Sequence, residues 1–288
     1  MAQQARTTSR LRRISLTVRP ESTFPVPVSD GYSVYSALLG VLDDVDEDVS
    51  AHIHDSPLGS LHNSGLQGDF GSSDRSHHKS LRAGEEYELA LGIVDPEDTE
   101  IFHALVSALV LEGDSFELTN GVVRIESFES ENATHRELLE RAAELDDPAI
   151  EMDFRTATCI EEAEGVTTMF PHRGAVFNSL CGKWNRSAPD ELAFDLSRAD
   201  VEGSVIEKPD AGSYRTHSVL VNRVTNKEGK TRNLFRQGFT GECGYAFKDA
   251  SAAIENAVTA LALFGEYSGI GSAVARGCGH IDASIFKQ

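Results

Sequence analysis

The sequence is poor in lysine, cysteine and tryptophan, and it lacks any long apolar run. Seven lysines stand against nineteen arginines. The four cysteines, Cys159, Cys181, Cys243 and Cys278, lie far apart with no CxxC pair. This argues against a zinc knuckle or a disulfide framework and favours buried, reduced thiols in a cytoplasmic protein. The longest nearly apolar run, Ala257 to Phe264, is far too short to span a bilayer, and the basic N-terminal residues have no apolar stretch behind them. No membrane partner is expected. The single tryptophan, Trp184, reads as a core or interface anchor.

Negative charge, by contrast, is abundant. The 288 residues carry a formal net charge of -20, with Asp and Glu spread along the whole chain, while 40% hydrophobic residues suffice for a real core. Such a balance suits a protein living at high internal salt, as in a halophile. It normally speaks against a nucleic-acid partner, because phosphate binding is largely cationic neutralisation. At molar ionic strength, however, the screening length falls to about 3 Å, and only charges at touching distance count. One segment reverses the balance: "RVTNKEGKTRNLFR" holds Arg223, Lys227, Lys230, Arg232 and Arg236 against Glu228 alone. As a hairpin between two middle strands it would suit an RNA stem-loop or single-stranded phosphates; a solvated polar turn is the plainer alternative.

Periodicity divides the chain into two halves with one plan. Residues 1–10 are a polar tail. In the N-terminal half, residues 11–128, Ile14, Leu16 and Val18 alternate as one face of a strand, a "FPVPV" turn follows, and Val34, Leu38, Val41 and Leu42 share a helical face. A loop spans 55–80, with an unclear strand near Leu66 to Phe70. "EEYELALGIV" then reads as a strand, "DPEDTEIFHALVSALV" as a helix opened by Asp95, and "FELTNGVVRIESF" as strands flanking an Asn-Gly turn. The acidic stretch 129–148 is the best linker candidate. In residues 149–288 the strands are "IEMDFRTATCI", "YRTHSVLVNRV", "NLFRQGFTGECGYAF" and "GHIDASIF". The helices are "GAVFNSLCGKWN" and "DASAAIENAVTALALFGEY", the latter capped by Asp249 or Ser251. The fold class this predicts is α+β, two tandem ferredoxin-like (RRM-like, βαββαβ) domains.

Between the last helix and the last strand lies "GIGSAVARGCG", with Gly269, Gly271, Gly277 and Gly279 and with Arg276 beside the second pair. A dinucleotide fingerprint requires a small residue at 274, where Val274 stands, and leaves a strand to enter a helix, the reverse of the order here. No GK[ST] follows for a phosphate loop. A helix C-cap followed by a bulged strand entry is the structural alternative.

The spacing G-x-G-x5-G-x-G in this place resembles the C-terminal glycine-rich loop of the CRISPR-associated endoribonucleases that cut precursor CRISPR RNA, members of the RAMP superfamily. The opening strand, the "FPVP" turn, "AHIHDSPLGSLHNSGL" and "FPHRGAVFNSLCGKWN" extend the resemblance. It implies metal-independent cleavage of CRISPR repeat RNA without a cofactor, by attack of a 2′-oxygen on its own phosphate to leave 2′,3′-cyclic phosphate and 5′-hydroxyl ends. It also implies retention of the crRNA for other effector-complex proteins, and RNA contact at Gly269, Gly271, Gly277 and Gly279. Glycine amides can approach phosphate oxygens closely, and a guanidinium such as Arg276 grips phosphate bidentately.

The family's catalytic histidine follows the first helix, and gap-free matching from Phe24 puts His54 there, followed by Asp55; His52 is the alternative. An imidazole titrates near neutrality, as proton transfer to or from the reacting oxygens requires. His52 and His54 would share a face if extended, but no partner ligands stand nearby at metal spacing. The tyrosine and lysine that some members add fall here on Leu39 and Ser60, leaving Tyr35, Ser64 or Lys79 as substitutes. A non-catalytic RNA-binding subunit is the alternative reading.

Overall fold

The computed structural model describes residues 10–45, 61–96, 99–112, 114–162, 165–225 and 229–287. The alternation of Ile14, Leu16 and Val18 forms β1 (Arg10–Pro20), with all three side chains buried. Then come β2 (Phe24–Pro27), α1 (Gly31–Val45), β3 (Leu61–Gln67), β4 (Gly71–Ser72), β5 (His78–Leu81) and β6 (Tyr87–Ile93). Helix α2 (Thr99–Val106) runs on in wider π-type turns through Ser107–Glu112 into β7 (Ser115–Leu118) and β8 (Gly121–Thr134). The main sheet has the antiparallel order β3-β6-β1-β8-β7. Its first four strands and two helices make the split βαβ plan, and β7 adds an edge. Two expectations are corrected: "FPVP" is strand β2 rather than a turn, and the supposed loop 55–80 supplies β3, β4 and β5, with β2-β5-β4 forming a small separate sheet.

The C-terminal half comprises α3 (His135–Ala143), β9 (Pro148–Thr158), β10 (Ile160–Glu161), β11 (Thr167–Thr168), α4 (Arg173–Ser187), α5 (Arg198–Ser204), β12 (Val205–Pro209), β13 (Arg215–Thr225), β14 (Thr231–Phe247), α6 (Ala252–Ser268) and β15 (Ile281–Lys287). Its sheet order β12-β14-β9-β15 repeats the first. The second ferredoxin strand is therefore β12, which the sequence reading passed over. Strand β13 is an addition that pairs with the first part of the 17-residue β14 as a long hairpin.

The stretch 129–148 is no linker. Its first residues continue β8 along β1 as far as the pair Arg10 and Thr134. Thr134 then caps α3 in a reciprocal box with Glu137. Leu138 and Ala142 of α3 are fully buried in the C-terminal core, together with Leu11, Val94 and Ala133 from the N-terminal side. The acidic residues that suggested a linker lie on the outer face of an amphipathic helix. Trp184 is a core anchor as expected: it is fully buried, and its indole N–H donates to Leu192 O at 2.8 Å. Among the described residues no helix is long and apolar enough to cross a membrane.

Candidate functional site

The two halves meet along a seam made by the entry to α1, strand β3 and the segment 269–280. Asn63 holds all three: its Nδ2 donates to Gly31 O (3.0 Å) and Ala275 O (3.2 Å), while its Oδ1 accepts from Gly65 N (2.8 Å). At the same place Gly31 and Gly277 touch backbone to backbone, and a Cβ on either would overlap the other's Cα. Buried Lys183, from α4, donates to Ser268 O (3.0 Å) and Gly269 O (2.8 Å), closing the C-terminus of α6. Burial, with Arg186 adding to it, brings the Lys183 pKa down to about 7.

The same contacts show what the glycines do within the chain. Gly269 N donates to Gly265 O, Gly271 N to Ser179 Oγ, Gly277 N to Val274 O and Gly279 N to Ala157 O. All four amides are therefore hydrogen-bonded inside the chain in this structure. The four residues have φ between +59° and +81°. A Cβ on Gly279 would overlap the Ile270 carbonyl oxygen, and one on Gly271 would stand 2.5 Å from Cys159 O. The spacing thus serves close backbone packing at the seam. Arg276 is different: its guanidinium carbon lies 5.2 Å from the Tyr35 ring centroid, and its buried Nε has no hydrogen-bond partner.

Two adjoining clefts open beside the seam. One of about 250 Å³ is lined by Lys79, Arg155, His217 and Arg276 among others; a second, of about 370 Å³, by Tyr32, Ser36, His78 and Arg223. Ser29 and Leu220 line both. Lys79 is paired with buried Asp30 at 3.0 Å and lies over the Phe70 ring. Burial raises the Asp30 carboxyl, partly offset by Lys79 and by the Leu66 N–H. Arg155 is held by Asp153 and Asp282. Arg276 and Arg223 have no carboxylate partner among the described residues. In a chain this acidic, unpaired guanidinium groups in a cleft make an anion-binding surface.

The candidate catalytic histidines His52 and His54 lie outside the described residues, as does Lys227. Of the possible substitutes for the missing tyrosine and lysine, Ser64 is excluded, because it is buried, donates to Gly65 O and accepts from Ala90 N. Tyr35 stands half-buried beneath Arg276, and Lys79 reaches the cleft. In the hairpin, Arg236 is tied to Glu161 at 2.7 Å, Lys230 and Arg232 sit near its tip, and Arg223 lines the second cleft.

The sequence reading missed His217, whose Nε2 is 2.8 Å from Thr240 Oγ1 and whose pKa is lowered by burial. It also missed Asn63, Lys183 and His280, and it gave no sign that His62 is buried against His280, with ring centroids 5.1 Å apart. Burial holds His62 well below the ordinary imidazole range, with His280, Lys183 and Arg13 adding to the effect; His280 is brought to about 3 by burial, Arg13 and Arg155. Both are neutral fillers of the seam near pH 7, not proton carriers. Among the described residues no three of His, Cys, Asp or Glu converge as metal ligands.

Comparison with known proteins agrees with this architecture. No curated protein matches the chain in sequence. Residues 152–281 match the family model of the CRISPR-associated endoribonuclease Cas6. Among solved structures, Thermus thermophilus Cas6 is similar at 18% identity and a TM-score of 0.67, covering 96% of this chain and 100% of that one. A Cas6 product complex is similar at 19% identity and a TM-score of 0.65, with the same coverage. The product of a Cas6-related gene from Pyrococcus furiosus is similar at 11% and 0.58, covering 95% and 98%. The C-terminal half thus matches the Cas6 endoribonuclease family, and the chain as a whole has the tandem ferredoxin-like fold of the solved Cas6 proteins.

Proposed function

We propose that this protein is a Cas6-type endoribonuclease that binds CRISPR repeat precursor RNA and cuts it once, without a metal. The observation that carries this reading is the Cas6 family match over 152–281, set in a fold whose two halves frame adjoining clefts lined by Arg276 and Arg223, neither with a carboxylate partner among the described residues. Two similar structures, a Cas6 product complex and another RAMP protein binding different RNA substrates, support RNA as the ligand class. In the reaction the 2′-oxygen gives up its proton and attacks the adjacent phosphorus, while the 5′-oxygen leaves and takes up a proton. The products are a 2′,3′-cyclic phosphate and a 5′-hydroxyl. His54, with His52 as the alternative, supplies the proton transfer, which is typically worth about 10²- to 10⁴-fold. One solved Cas6 carries a histidine-to-alanine replacement, which fits a histidine of interest in that protein.

A second reading, an RNA-holding subunit without catalysis, is favoured by one observation. Leu39, at the place of the helix-one tyrosine, packs against the N-terminal core and offers no polar group. Incubation with the host's repeat RNA at high potassium, with chelator, separates the two. A single cut with cyclic-phosphate ends is the expected result, tight binding without a cut supports the subunit, and no binding refutes both. His54→Ala is expected to lose about 10²-fold or more in cleavage rate while still binding RNA; wild-type cleavage by that variant moves the role to His52.

A further inference from the structure

The β13–β14 hairpin has one feature that its charge does not explain. Phe235 is 54% exposed, although it sits beside a cleft and not at the hairpin tip. Directly paired residues of an antiparallel ladder project to the same face. Phe235 pairs with Leu220, Asn233 with Arg223 and Gln237 with Ser218, and the Gln237 Nε2 to Ser218 Oγ hydrogen bond of 2.9 Å confirms that this last pair shares a face. Leu220 lines both clefts and Arg223 the second. The strip through Phe235 therefore continues the wall of the second cleft onto the hairpin, whereas the first cleft also takes His217 and Val219 from the opposite face. The opposite face differs: Val219 and Leu234 are packed in a small core, and Arg236 is tied to Glu161.

An exposed ring on the same face as a guanidinium that has no carboxylate partner among the described residues, flanked by amide side chains, matches the chemistry of one ligand class. A nucleobase stacks on an aromatic face whatever its identity, and its phosphate needs a cation close by. The base must be unpaired, because in a duplex its faces are already covered. We infer that Phe235 stacks an unpaired base of the RNA while Arg223 holds the neighbouring phosphate, so that the hairpin carries single-stranded RNA out of the cleft. This rests on the reading of the protein as RNA-binding and adds which side chains bind and which form of RNA they accept.

The test uses the full chain and two labelled probes, a 12-nucleotide oligoadenylate and a 12-base-pair RNA duplex, with binding followed by fluorescence anisotropy. Phe235→Ala and Phe235→Leu are both expected to weaken oligoadenylate binding by about 5- to 150-fold, with Phe235→Trp restoring it. Arg223→Ala lowers the slope of log affinity against log salt by about 0.7. Duplex binding should change little in the Phe235 variants. Wild-type affinity of Phe235→Leu, an equal loss on the duplex, or a changed mass of the protein in sedimentation, which signals a self-association surface, overturns the inference. Site-specific cleavage of repeat RNA by the wild type, together with an unaffected Phe235→Ala, rejects the stacking strip alone. Failure of the wild type to bind any RNA rejects the functional reading itself.

Discussion

Adding one methyl group at the seam tests what the glycines are for. A Cβ at Gly277 or Gly279 meets backbone in a φ region that other residues adopt only at a cost. Gly277→Ala and Gly279→Ala are therefore expected to lose at least about 2 kcal/mol each in urea unfolding. Gly182→Ala, in α4 with nothing within 4 Å of the added carbon, gains up to about 1 kcal/mol as a control. The glycine spacing was legible in the sequence, but its reason was not: whether a glycine amide faces a ligand or its own chain depends on hydrogen bonds to Ser179 and Ala157, distant in sequence. The buried imidazoles give a second expectation at this scale. His62 and His280 stay neutral in the folded state but protonate near pH 6.5 when unfolded, so the unfolded state binds more protons and stability falls as pH drops below 6.5. The loss reaches roughly 1.4 kcal/mol per pH unit for each and continues for His280 toward pH 3. Asp30 and Glu266, raised by burial, act in the opposite sense nearer the carboxyl range. Unfolding measured from pH 7.5 to 4.5 should show the slope, and His62→Gln with His280→Gln should reduce it, leaving the part that buried His135, brought down to about 4, contributes.

Among the elements, those with strong alternation or long helical periodicity could be read directly: β1, β6, α1 and α6 stand where their patterns put them. The elements that could not be read fail for identifiable reasons. Strand β3, "LHNSGLQ", looks like a polar loop, yet its first six residues are buried, because Asn63 is bonded to Gly31, Ala275 and Gly65, Ser64 is bonded to Gly65 and Ala90, and His62 is neutral. Strand β12 is five residues long with a charged pair and a proline, too brief to show a period. Helix α3 looks like a linker because its solvent face is acidic, but its cap and its buried Leu138 mark it as part of the C-terminal core. Thr134→Ala removes one side of the reciprocal cap and should cost about 1 kcal/mol. Because α3 is packed, that loss should appear in the global unfolding transition and not as local proteolysis at 135–143.

For the whole molecule, the charge of -20 sets a condition on stability. Self-repulsion of a compact, highly charged chain is relieved by salt, so the midpoint of thermal unfolding should rise as KCl increases from 0.1 to 3 M; a flat or falling midpoint would show that the carboxylates do not oppose folding. Tandem architecture and cleft position follow from the repeated strand order, and the periodicity showed the repeat. The seam was hidden, since it joins residues 31, 63, 275 and 277 through the Asn63 side-chain amide and a glycine-to-glycine backbone contact, which leave no periodic trace. Its consequence is mechanical. Where Gly31 and Gly277 meet, no side chain lies between the halves to rotate or compress, so the spacing there is set by bond lengths and atomic radii. The cleft beside it therefore has one edge whose separation is set by backbone contact and not by side-chain packing.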